Sequence, residues 1–589
     1  MGVTEPGRPG AAPGGKTGRI VRVNGPLVEV EGLEGLAILE LVRLGPQAVS
    51  GETISVAGSH ATVQAYEYTG GLKCGDPVEG TGRPLAGLLG PGLLSGVFDG
   101  LLRPLSAEPL WLTPERGEGR RGGAGAAKWE FSPRTTAGAQ AGPGDVLGVV
   151  AGSGSIEHRV IVPQDVVGEV TWISGVERLG LADAVARIGG REVLLGERWP
   201  IRRPRPFLQR TAEAVPLHTG QRVLDLMFPL PLGAAAAVPG GFGTGKTLLL
   251  QQIAKWGSAD VIVYVGCGER GNEMADVLHG LSELEDARTG GRLIDRTVII
   301  ANTSNMPMMA REASVYTGLT VAEYFRDMGY DALVIADSTS RWAEALREFA
   351  NRNGDLPAEE GYPASLASDL AAFYERAGRV TTLGGRAGSV TVVGAVSPPG
   401  GDMTEPVTTG TQRFVRSLWL LDRDLAYARH YPAVSWAGSF ARDLDALAAW
   451  HGANGHEAWA SQRLSASVLL SESDRLAALA EVIGTSSLPG HERVVLLGGR
   501  LLREAVLRQS ALSPNDGFCS LGKGMALLGL VLATIESCHR QIERGIPASV
   551  VEEADFSSVL RAAEETGPDD AEGVSRRLEA VLELLDGLT

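Results

Sequence analysis

Gly240-Gly241-Phe242-Gly243-Thr244-Gly245-Lys246-Thr247 is the stretch from which the rest of this chain can be read. It fits the pattern G-x-x-x-x-G-K-[ST]. Glycines in that register let backbone N–H groups curl around a β-phosphate, and the loop opens a helix whose N-terminus favours anions. The pattern predicts that Lys246 reaches the β- and γ-phosphates and that Thr247 supplies a hydroxyl to Mg²⁺. Glycine is abundant, with 79 in the chain, but six lysines stand against 48 arginines. Chance supplies roughly 0.01 copies of such a motif in a chain of this composition. An apolar run at 235–238 precedes the loop and a helical run at 248–256 follows it, as a phosphate-binding loop requires. ATP or ADP is therefore the expected ligand, with chemistry at the terminal phosphate.

Outward from the loop, strands alternate with helices: 235–238 and a helix from 247, then 261–265, 272–281, 297–303, 332–336 and 390–396. Continuous apolar strands of this kind suit a mostly parallel sheet covered on both faces. Two acids fall at strand ends, where ligand sites of such sheets lie. Glu269 follows 261–265 and is placed to polarise a water attacking the γ-phosphate, with Arg270 beside it to stabilise charge on the transferred group. Position alone leaves a solvated loop acid and a salt-bridged arginine equally open. Asp337 ends 332–336 and fits a Walker B acid that holds Mg²⁺ through water.

The flanks read differently. Residues 1–17 are rich in glycine and proline with no apolar core, which predicts a disordered extension rather than a signal peptide. Residues 18–83 alternate apolar and polar positions: Val21 and Val23 flank Arg22, Val28 and Val30 flank Glu29, and Asn24-Gly25-Pro26 supplies a turn. Closure into a small β-barrel is the natural solution. A Gly/Pro-rich linker is expected at 84–105 and a β-rich insert at 106–200, with strand signals at 157–162 and 168–173. The nucleotide domain is expected at 201–440. From 441 to 589 leucine and alanine recur at helical spacing, which predicts a helical bundle. The fold class is thus multidomain α/β.

Composition narrows function. A net charge of −16 argues against a protein that grips nucleic acid. Cys74, Cys267, Cys519 and Cys538 form no CxxC pair, so neither a disulfide framework nor a zinc site is expected. The apolar run 525–535 is shorter than the ~20 residues of a membrane span and suits a buried helix.

Several longer stretches carry a resemblance. GGFGTGKT, VIVYVGCGERGNEM, ANTSNMP, REASVYTG, ADSTSRWAEALRE, PAEEGYP, VGAVSPPGGDMTEPV and RHYPAVSW are similar to the catalytic A subunit of V-type and A-type rotary ATPases. The likeness runs from GRIVRVNGPLVEVEG near the N-terminus to Phe518-Cys519-Ser520. It implies an N-terminal β-barrel, a β-rich bulge, a RecA-like P-loop domain and a C-terminal helical bundle. It also implies an A3B3 ring of alternating A and B subunits around a central stalk, with a peripheral stalk and a membrane rotor carrying H⁺ or Na⁺. The chain would sit peripherally on the cytoplasmic face of the cell membrane. By position, Lys246 and Thr247 match the P-loop pair, Glu269 the catalytic glutamate, Arg270 its neighbour and Asp337 the Walker B aspartate. Phe242, Tyr431 and Phe518 match aromatic positions around the adenine, and a further arginine is expected from a B subunit.

Three features depart from the pattern. Thr244 stands where the eukaryotic form has cysteine, Phe518 where tyrosine is common, and the bulge matches loosely. The first, with the arginine bias, suggests a bacterial complex. Another hexameric P-loop motor, an RNA translocase or a protein-export ATPase, is the alternative. The acidic balance, the lack of an aromatic–basic strand platform and the size of the bulge disfavour it. A non-catalytic nucleotide-binding subunit would need none of Lys246, Glu269 and Asp337.

Overall fold

A computed structural model describes residues 16–105, 127–152, 154–286, 288–354 and 356–588. The expected N-terminal extension lies almost wholly outside the described residues, as does the first part of the expected insert.

Six strands close a barrel in the order Lys16–Asn24, Leu27–Glu31, His60–Ala65, Val49–Ala57, Glu40–Leu44, Pro77–Pro84. Val28, Val30, Val42, Leu44, Val63 and Val78 fill it. The alternation read at Val21 and Val23 is out of phase at one residue. A register shift between Ile20 and Arg22 turns Ile20 inward and leaves Val21 exposed. A β-bulge of this kind inserts one residue and re-aims the side chains beyond it.

Residues 84–105 are not a bare linker. Ala86–Leu89 pairs antiparallel with Glu197–Pro200, and Val97–Phe98 joins the nucleotide-domain sheet as a parallel edge strand beside Thr297–Asn302. Leu89, Leu93, Leu94, Phe98, Leu101 and Leu102 are buried against that domain. The glycines mark turns between short buried pieces, where composition alone suggests a linker.

The β-rich insert is two four-stranded antiparallel sheets around one core. Its strands include His158–Ile161 and Gly168–Ile173, within the two stretches expected.

The nucleotide domain carries seven parallel strands in the order Ser417–Leu418, Ala235–Pro239, Ala387–Val396, Asp331–Asp337, Val261–Cys267, Thr297–Asn302, Val97–Phe98. The central strands are buried along nearly their whole length, because helices cover both faces. One face takes the helices Lys246–Trp256 and Gly271–Glu283, and the other takes Met308–Asp327 and Thr339–Asn353.

The C-terminal helices, chiefly Trp459–Ile483, Gly490–Leu502, Leu521–Glu543 and Ala571–Asp586, share one continuous apolar core with the first of those faces. Leu521–Glu543 is long and apolar enough to cross a membrane. Here Leu527, Leu528, Leu530, Val531 and Cys538 bury it inside the bundle, as the run 525–535 suggested. Its Lys523 is fully buried and donates to the carbonyls of Asn515, Ala563 and Thr566 at 2.8, 2.8 and 3.0 Å, which supplies all three ammonium protons with acceptors.

Candidate nucleotide site

The loop 240–247 links the buried strand Ala235–Pro239 to the helix Lys246–Trp256. Gly245 has φ +85°, and a Cβ there would lie 3.2 Å from the Tyr431 ring, so both conformation and space demand glycine. Lys246 Nζ donates to the carbonyls of Gly240 at 2.5 Å and Gly241 at 3.0 Å. Burial lowers its pKa from the usual lysine value, against the pull of Asp337 and Glu269. An ammonium desolvated this way gains more from a phosphate oxygen than a solvated one would. Thr244 Oγ1 donates to Gly241 O at 2.9 Å, closing the loop on itself.

Asp337 ends the strand Asp331–Asp337, is almost completely buried and accepts from Tyr264 OH at 3.1 Å. Thr247 Oγ1 stands 3.5 Å from the same carboxylate oxygen. Burial raises the Asp337 pKa in spite of Tyr264 and Lys246. A hydroxyl and a carboxylate short of positive charge, at the mouth of a phosphate loop, form the hard-oxygen donor set that suits Mg²⁺.

Glu269 follows the strand Val261–Cys267, and its backbone is pinned to the neighbouring segment. Ser304 N–H donates to Glu269 O at 2.8 Å and Gly268 N–H to Asn302 O at 2.7 Å. Gly268 has φ +76°, and a Cβ there would fall 2.8 Å from Arg341 Cβ and 3.0 Å from Arg311 Nε. Burial first, then the Asp337 charge and Glu273, push the Glu269 carboxyl up to about 8. Two carboxylates sharing a partly desolvated site cannot both ionise cheaply.

Arg270 is exposed, and its side chain pairs with no carboxylate among the described residues. Its backbone N–H meets Glu273 Oε2 at 3.3 Å, at the start of the helix Gly271–Glu283.

The three aromatic residues expected at the adenine separate. Tyr431 lies against Gly245 at the loop. Phe242 is 99% exposed at the loop tip and packs on nothing within this chain. Phe518 is half-buried, its ring 5.2 Å from that of Trp256 and pressed against Gly220. Trp256 is the last residue of the helix that Lys246 begins, and Phe518 packs near that end.

Tyr264, Glu273, Arg311 and Arg341 were missed by the reading of the sequence. Arg341 Nη1 donates to both carboxylate oxygens of Glu344, at 3.0 and 2.9 Å, and Arg311 Nη2 reaches Ser304 O at 3.4 Å. Both arginines stand inside the motifs REASVYTG and ADSTSRWAEALRE, where charge beside a strand end was an available signal. Tyr264 had none, because a tyrosine inside a buried strand reads as core.

The raised Glu269 carboxyl sets a pH dependence. A carboxylate is the form that can accept a proton from water, and its fraction falls about tenfold per pH unit below its pKa. In the free enzyme, kcat/KM for ATP hydrolysis should therefore climb with pH and level off above about 8. A pH profile flat from 6 to 9 would remove Glu269 from that role.

The chain is similar to known proteins along most of its length. Four family models match. They are the ATP synthase alpha/beta family beta-barrel domain over 20–82, the alpha/beta subunit barrel-sandwich domain over 124–202, the alpha/beta family nucleotide-binding domain over 220–441, and the C-terminal domain of V and A type ATP synthase over 448–553. The chain is 50% identical over 555 residues to the V-type ATP synthase alpha chain of an Anaeromyxobacter species, covering 93% of this chain and 95% of the relative. It is 48% identical over 539 residues to the V-type ATP synthase alpha chain of Nitrosococcus oceani, covering 90% and 91%. It is 44% identical over 589 residues to the A subunit of the A-type ATP synthase of Staphylothermus marinus, covering 97% and 100%.

Proposed function

This chain belongs to the ATP synthase alpha/beta family as a V/A-type alpha chain, and from that premise we propose how its P-loop face works. The site binds ATP or ADP with Mg²⁺ and cleaves or forms the terminal phosphate bond at an interface completed by a neighbouring chain. One observation carries the reading: Thr247 Oγ1 stands 3.5 Å from the Asp337 carboxylate, and Lys246, Glu269 and Asp337 lie close enough for their charges to shift one another.

Lys246 exchanges the carbonyls of Gly240 and Gly241 for β- and γ-phosphate oxygens. The exchange supplies stronger acceptors to a cation already desolvated. Backbone N–H groups of 240–247 cradle the β-phosphate. Thr247, and Asp337 through water, would hold Mg²⁺, which would supply positive charge beside the β- and γ-phosphates. Glu269 orients and polarises the water that attacks the γ-phosphorus in line with the departing ADP oxygen. Arg270 meets charge developing on the γ-phosphoryl oxygens. Synthesis is the same path reversed. Tyr431 lines the base side, and Phe242, bare in the single chain, meets the neighbouring chain at the interface.

The partners that fit are B subunits alternating in an A3B3 ring and contributing an interface arginine, with central and peripheral stalks. A membrane rotor coupled through them carries H⁺ or Na⁺. The chain is then a peripheral subunit on the cytoplasmic face, since its one sufficiently apolar helix among the described residues is used as bundle core. The match to the V/A-type C-terminal domain supports this rotary reading over a translocase or export motor.

The test is metal dependence. In the assembled complex, Thr247→Ala should raise the Mg²⁺ concentration for half-maximal ATP hydrolysis by about tenfold or more. An unchanged Mg²⁺ requirement would take Thr247 out of the metal site.

A further inference from the structure

The loop that follows the helix Gly490–Leu502 is wired to the nucleotide domain by one buried arginine and one buried glutamine. Arg222 lies just before the segment Val223–Met227, with its side chain fully enclosed. Four of its N–H groups go to one stretch of the C-terminal region. Its backbone N–H donates to Gln509 Oε1 at 2.8 Å, Nε to Val506 O at 2.6 Å, Nη1 to the Asp516 carboxylate and Nη2 to Arg508 O.

Gln509 continues the network. Its Nε2 donates to Gly220 O and to Asp516 O, each at 2.8 Å, and its backbone N–H donates to Tyr431 O at 2.8 Å. Ser510 N–H donates to Asp516 Oδ2 at 2.7 Å, and Lys523 anchors the far end of the loop through Asn515 O.

The consequence concerns Tyr431. Its ring rests on Gly245, the left-handed residue immediately before Lys246. Its backbone carbonyl is held by Gln509, whose own position depends on Arg222. Buried side-chain hydrogen bonds to fixed backbone groups leave a residue little freedom to drift.

We infer that Arg222 and Gln509 are positioning residues for the nucleotide base: they clamp residues 506–516 onto the nucleotide domain and so hold Tyr431 over the phosphate loop. The inference rests on the reading of Tyr431 as the base-side residue. Neither clamp residue touches the phosphates. Their loss acts on recognition of the base and leaves Lys246, Glu269 and Asp337 in place.

The assembled complex is assayed with ATP and with GTP, for wild type, Arg222→Gln, Gln509→Ala and Tyr431→Ala. For both clamp variants KM for ATP should rise about tenfold, kcat should stay within about twofold, and the preference for ATP over GTP should shrink. Arg222→Lys, which keeps the charge facing Asp516 but lacks the planar fork, should recover part of the loss. Arg222→Gln leaves the buried Asp516 unpaired and can fail to fold; Gln509→Ala retains the ion pair and then decides the matter. If Tyr431→Ala leaves KM unchanged, the base-side reading of Tyr431 fails. If Tyr431→Ala raises KM but Gln509→Ala does not, the positioning inference is overturned. It is equally overturned if the clamp variants lower melting temperature and kcat together at constant KM, which is the behaviour of a purely structural contact.

Discussion

Glu269→Gln in the assembled enzyme should lower kcat for ATP hydrolysis by about 10³-fold or more while nucleotide affinity stays within about threefold. The substitution keeps size and shape, so the backbone ties from Ser304 and to Asn302 have no cause to move. What it removes is the group able to carry negative charge toward a water. In the native site that charge is already disfavoured by burial, by Asp337 and by Glu273. Deprotonation of that carboxyl as pH rises supplies the carboxylate the water needs. Glutamine has no such response, and the rise of kcat/KM toward pH 8 should vanish with it. Steady-state hydrolysis and binding of a fluorescent ATP analogue check both halves. Turnover near the wild-type rate would refute the role of Glu269, and lost binding would mean that Glu269 holds nucleotide instead.

The isolated chain should bind ATP yet hydrolyse it about 10³-fold more slowly than the assembled complex. The reason is that the transition state calls for a cation delivered when the site closes. Arg341 is tied to Glu344, and Arg311 reaches Ser304 O at 3.4 Å with its Nε finding no acceptor. Lys246 lies at the loop, and Arg270, next to Glu269, is exposed. A transition state of that kind gains most from a guanidinium delivered at closure, and a partner arginine can supply it. Phe242, with 99% of its surface bare at the loop tip, has room to meet a neighbouring chain. Hydrolysis by purified chain, titrated with B subunits, measures the effect directly. Full activity of the chain alone would show the site to be complete without a neighbour.

Most of the nucleotide domain was legible in the sequence because its signals are local. Apolar strands ending in Glu269 and Asp337, a glycine loop and a helix start are all properties of short windows. Residues 84–105 were misread for the converse reason. Their strands are two to four residues long and find partners about 110 or 200 positions away, in Glu197–Pro200 and Thr297–Asn302. No window of sequence shows that. Val21 was misplaced by a single bulge, which breaks an alternation without leaving a compositional trace.

The sequence by itself determined the chemistry on offer: a lysine and a threonine at a phosphate loop, and two acids at the ends of buried strands. Those assignments follow from backbone conformation and period, which neighbouring residues control. Only the tertiary structure decided which groups act on one another. It raised the Glu269 carboxyl by burying it and placing Asp337 and Glu273 beside it, and put Tyr264 against Asp337. It packed Phe518 on Trp256, set Tyr431 against Gly245, and ran a buried clamp from Arg222 through Gln509 to that tyrosine. Burial and charge–charge distance belong to the packed chain, and no stretch of residues read alone contains them.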